Sequence, residues 1–169
     1  MASAHSHARQ GRDSRTDKPG HALPARPGRR TEVVGELARY LGALAILLVG
    51  VIHAQQYYDA YFSAVPTIGT LFLLSFVGSG VVGVTLIAPV RRLGRSMGDL
   101  ILVLAALGAI AIALGSLASL LVSEYRPLFG FMESGYRLAI VLTLVFDTLA
   151  TVLLGAFVLI VARARRHQV

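Results

Sequence analysis

The chain has 169 residues, of which 55% are hydrophobic and only 15% charged, and its formal net charge is +7. That balance is too apolar for a soluble domain of this length and points to a membrane protein. Without cysteine the chain has no disulfides, thiolate metal centres or thiol redox chemistry, and without tryptophan any interfacial anchoring falls to tyrosine.

Residues 1–32 are rich in Arg, His, Ser, Pro and Gly and nearly devoid of large apolar side chains. Such a stretch cannot bury enough surface to offset its ordering entropy, so a disordered basic tail is expected. His5, His7 and His21 have no spacing that fixes a metal geometry, and a solvated tail accounts for them. The tail does not read as a signal peptide. The first apolar run starts late, is long, and has no small-residue cleavage site behind it, so it reads as a retained anchor.

Four apolar runs follow, at Leu37–Tyr58, Thr67–Val90, Leu100–Val122 and Leu138–Ala162. At about 1.5 Å of rise per residue, each is long enough for a hydrocarbon core of roughly 30 Å. The fold expected is therefore all-α: a polytopic four-transmembrane-helix bundle over residues 33–166, with 167–169 as a short end. Arg39 lies near one end of the first run, where its side chain could reach the headgroups. Pro89 closes the second run, and Asp99 is a suitable N-cap for the third.

Fourteen of the sixteen Lys and Arg residues lie in the tail through Arg39, in the Arg91–Arg95 loop or in the Arg163–Arg166 end. The other two loops, Asp59–Pro66 and Ser123–Arg137, hold only Arg126 and Arg137. Positive residues stay in the cytoplasm, which puts both termini and the middle loop inside. An even number of spans independently requires the termini to share a side. The Arg-rich, Ala- and Gly-rich composition fits a GC-rich bacterial genome, and the location expected is the bacterial plasma membrane. The basic charge follows from topology, so nucleic acid is not an expected partner.

Small residues recur at helical spacing: Ser75, Ser79 and Gly83 in the second run; Ala105, Ala109 and Ala113, and on another face Ala111, Gly115 and Ser119, in the third. Such stripes let helix backbones approach closely, either within the bundle or against a second copy.

Two ionisable groups lie inside the runs, His53 and Asp147. By helix rise they sit about 7 Å and 13 Å from the outer ends of their spans, both in the outer half. Charge at that depth is costly, so such residues face a bundle interior or a cavity. If the first and fourth spans adjoin, the two can pair. Thr143, Asp147 and Thr151 are spaced four apart and form one polar stripe. Tyr57 heads a group of aromatics beyond His53, with Tyr58, Tyr61 and Phe62, and the other outer loop adds Tyr125, Phe129, Phe131 and Tyr136. These read as an interfacial belt or as a lid over a pocket. The candidate ligand or proton site is therefore His53, Asp147, Thr143, Thr151 and Tyr57.

No phosphate-binding loop, dinucleotide fingerprint, metal-ligand spacing or nucleophilic triad is present in the sequence. One embedded histidine cannot make a bis-histidine haem site within one chain. No cofactor is expected.

His53, Tyr57, Pro66-Thr67-Ile68-Gly69 and Leu71-Phe72-Leu73-Leu74 together resemble a pattern in small four-helix membrane proteins of actinobacteria. There, a histidine ends the first span, a tyrosine-bearing loop follows, and P-x-x-G-x-L-F-L opens the second. A looser likeness to DoxX-like four-helix proteins rests on size and topology. Neither likeness implies an activity. Two functions stay open on the residues alone: a non-catalytic accessory or scaffold subunit packed against another membrane protein or a second copy, and a small proton-coupled transporter or ligand-binding protein using His53 and Asp147.

Overall fold

The computed structural model describes residues 27–59, 66–125 and 138–166. The tail before Pro27, both loops on the His53 side of the bundle with Tyr61, Phe62, Phe129, Phe131 and Tyr136, and residues 167–169 lie outside the described residues. Four long helices make up the rest: α1 (Pro27–Asp59), α2 (Pro66–Ile87), α3 (Arg95–Tyr125) and α4 (Leu138–Arg166), with a 3-10 turn at Val90–Leu93. All four are long and apolar enough to cross a membrane.

Local sequence sets the helix ends. α1 and α2 open on proline, whose fixed φ and missing N–H suit a first helical position. For α1 this puts the start inside the stretch expected to be an unstructured tail through residue 32. α2 stops at Ile87, short of the expected Val90, because Pro89 disfavours helix at the residue before it. α3 starts at Arg95, ahead of the expected Leu100. Gly94 leaves the 3-10 turn at φ 113°, a conformation that glycine adopts without strain, and its carbonyl accepts the Gly98 N–H at 2.8 Å. Asp99 is thus already inside the helix and is not its N-cap. α4 ends on Arg163, Arg165 and Arg166, cations at the negative end of the helix.

The helices form a ring in chain order. α1 packs on α2 and α4, α3 packs on α2 and α4, and α1 meets α3 only slightly across the diagonal. The core holds Ile46, Val49, Leu86, Leu102, Leu154 and Phe157 with the alanines Ala105, Ala106, Ala109 and Ala113. Glycine allows the tightest crossings. A Cβ at Gly42 would lie 2.6 Å from Leu154 of α4, and one at Gly83 would lie 2.6 Å from Leu47 of α1. The outward faces carry Leu44, Val51, Leu74, Val81, Leu104 and Val152, each more than half exposed. A surface so apolar suits hydrocarbon as its surroundings.

The linker end is tied by charge. Arg39 is buried and turned into the bundle, where its Nη1 donates to the Leu86 carbonyl at 2.6 Å. Its Nε and Nη2 donate to one oxygen of Glu36, at 3.1 and 2.6 Å. Arg91 bonds the other Glu36 oxygen and donates to Asp99 at 2.8 Å. The headgroup-reaching Arg39 expected from sequence is replaced by one that answers an unpaired carbonyl at the end of α2. Partial burial alone would lower the Arg91 pKa; its bonds to Asp99 and Glu36 outweigh that and raise it above its ordinary value.

Candidate functional site

At the end of the bundle opposite this charged cluster, the helices part around a cavity of about 400 Å³. α1 contributes Ile52, His53 and Gln56 from its last turns, and α2 contributes residues of its first turns, among them Phe72 and Ser75. α3 supplies its C-terminal turns from Ala111 to Ser123, and α4 supplies Ala139, Ile140 and Thr143. The lining is predominantly apolar, with a few hydroxyls, one amide and one imidazole. The void exists because α3 carries Ala111, Gly115 and Ser119 there; nothing lies within 4 Å of where a Cβ on Gly115 would stand. The opposite small-residue face of α3, Ala105, Ala109 and Ala113, is packed solid in the core.

His53 forms part of the wall and is 6% exposed. Its ring lies 5.3 Å from the Phe72 ring, tilted by 50°. Nδ1 lies 2.8 Å from the Val49 carbonyl oxygen. A carbonyl only accepts, so Nδ1 carries the proton in this contact and Nε2 of the neutral ring is an acceptor. Nε2 faces the Ser116 hydroxyl at 3.4 Å.

Asp147 sits behind the cavity wall with no exposed surface. Neither carboxyl oxygen has a hydrogen-bond partner, an unusual state for a buried acid. The expected direct pair with His53 does not form, although α1 and α4 do adjoin. Ser116 of α3 faces His53, and no hydrogen bond joins it to Asp147.

The remaining candidates are distributed around this pair. Thr143 lines the cavity. Thr151 spends its hydroxyl on the Asp147 backbone carbonyl, at 2.8 Å, and leaves the carboxyl alone. Tyr57 packs edge-on against Tyr58, ring centroids 4.9 Å apart, and does not line the cavity. Among the described residues, no group of three or more His, Asp or Glu side chains could hold a metal ion. Ser116 is the site residue that the sequence reading passed over. Its signal was available: it continues the Ala109–Ala113 face of α3 at the next helical step, where a hydroxyl replaces a methyl.

Comparison with protein-family models, with curated proteins and with solved structures finds no match to this chain.

Proposed function

We propose that the protein is a non-enzymatic integral membrane protein that binds a small, largely apolar molecule in the outer half of its four-helix bundle. The cavity carries this reading. A void of about 400 Å³ falls within the range of small-molecule sites, and an apolar lining with a few convergent polar groups is their usual make-up. The occupant proposed is a single-chain amphiphile from the outer leaflet, its apolar body against Ile112, Leu120 and Ile140 and its polar end near His53 and Gln56. The charge distribution supports a topology with both termini in the cytoplasm and the cavity toward the outside. The composition and the resemblance to actinobacterial proteins support the bacterial plasma membrane. The scaffold and homodimer readings draw on no comparable feature, since lipid alone accounts for apolar outward faces.

The test is saturable binding of a dansyl-labelled fatty acid to protein in nanodiscs. Gly115→Leu should fill the void and weaken binding at least tenfold, by the loss of buried contact area. Wild-type protein that gives no saturable signal, or a Gly115→Leu variant that binds as wild type does, overturns the reading.

A further inference from the structure

We propose that the cavity selects an amphiphile with an uncharged, hydroxyl-bearing head, a long-chain alcohol or monoacylglycerol, whose O–H donates into the corner of the wall formed by His53 and Ser116. The inference rests on the reading of the cavity as a ligand site and adds to it the chemistry of the head.

The tautomer of His53 sets that chemistry. Nδ1 lies 2.8 Å from the Val49 carbonyl oxygen, one turn back on the same helix. A carbonyl has no hydrogen to give, so the proton stays on Nδ1 and Nε2 of the neutral ring offers a lone pair. Ser116 Oγ lies 3.4 Å from Nε2, and both residues line the cavity. With its hydrogen turned to Nε2, the serine has only lone pairs left to offer. An entering hydroxyl can donate to Ser116 Oγ, or it can take the serine's place at Nε2, a contact already at the long end of hydrogen bonding. Either way every group keeps a partner. A carboxylate can only accept. To be held in this corner it must draw the serine hydrogen away from Nε2 and leave that buried lone pair unmet.

The rest of the lining agrees. Apart from His53, the polar side chains are serines, Gln56 and Thr143, all uncharged. Hydroxyls and amides bond in both senses and do not choose between heads. Among the described residues no Lys or Arg lines the cavity; Arg39 and Arg92 lie at the opposite end of the bundle. An anionic head drawn into an apolar void without a cation gives up its hydration with little to replace it, whereas an alcohol recovers most of its loss in one hydrogen bond. A labelled fatty acid still enters by its chain, with the carboxylate as the poorer head, and so reports occupancy.

The experiment is ¹⁵N NMR of the full chain with labelled histidine in nanodiscs of zwitterionic lipid. An alkaline pH keeps the imidazole neutral and the acid competitor ionised. His53 is assigned by the resonance lost in His53→Gln. Dodecanol and dodecanoate, equal in chain length, are titrated separately as mole ratios to lipid, and displacement of the dansyl probe is followed in parallel. Dodecanol should move the Nε2 resonance upfield and saturably, as a lone pair that gains a donor does, and leave Nδ1 in place. Dodecanoate should need at least tenfold more to displace the probe, a difference of about 1.4 kcal/mol, and should not produce the upfield shift. Ser116→Ala leaves Nε2 free and should keep the preference for the alcohol; His53→Phe removes the acceptor and should lose it. Equal displacement by the two compounds in wild type, or displacement by dodecanol that leaves Nε2 unmoved, overturns the preference while the cavity reading stands. If His53→Phe fails to fold, the wild-type comparison decides alone. If the probe binds Gly115→Leu as it binds wild type, the cavity reading falls and takes this inference with it.

Discussion

Gly83→Leu and Gly115→Leu should part company, although both glycines sit in small-residue stripes of apolar helices. At position 83 the first added carbon already collides with Leu47 at 2.6 Å, between α1 and α2. The helices must separate or Leu47 must leave its place, at a cost of about 1–3 kcal/mol. At position 115 the added side chain meets open space and is absorbed by the cavity. Thermal unfolding in mild detergent should show a clear loss for Gly83→Leu and none for Gly115→Leu. Equal losses would mean that the cavity is closed. The sequence alone made both stripes look like contact faces, because a small residue reads the same whether it admits a neighbour or leaves a void. His53 and Asp147 stood out as candidates because charge is rare inside apolar runs. That the two do not pair was not legible, since helix rotation decides it.

At the scale of elements, the sequence was a good guide to the helices and a poorer one to what joins them. Length and apolar content gave four helices, and the proline and basic signals ended them close to where they end. The 3-10 turn at Val90–Leu93 and the early start of α3 depended on one backbone conformation at Gly94, which composition does not reveal. The ionic cluster around that turn depended on it in turn. Glu36 joins two arginines from separate elements, and Arg39 is nearly buried. Glu36→Gln should leave Arg39 with no anionic partner and cost about 1–3 kcal/mol in detergent unfolding. Asp99→Asn should cost less, because the Arg91 side chain it serves is 41% exposed and water can replace the bond. A Glu36→Gln variant as stable as wild type would reduce the cluster to surface pairing.

At the scale of the whole molecule, the two ends of the bundle differ in kind. One end is closed by charge, with α1, the linker and α3 bound through Glu36, Arg91 and Asp99. The other is opened by small residues and carries an imidazole beside a serine hydroxyl, with a buried acid on α4. Rigid closure at one end and a void at the other is an arrangement suited to admitting a molecule from a single side. The natural absence of cysteine makes that claim directly testable. Gln56 lines the cavity near the end of α1, and Arg92 lies in the linker at the other end. Gln56→Cys and Arg92→Cys variants can each be exposed to a membrane-impermeant thiol reagent from one side of the membrane at a time. The account predicts that Gln56→Cys is labelled from outside and Arg92→Cys only from inside, and that the fatty-acid probe slows labelling at position 56 alone. Labelling of Gln56→Cys only from the cytoplasmic side, or at a rate that saturating probe leaves unchanged, would contradict it.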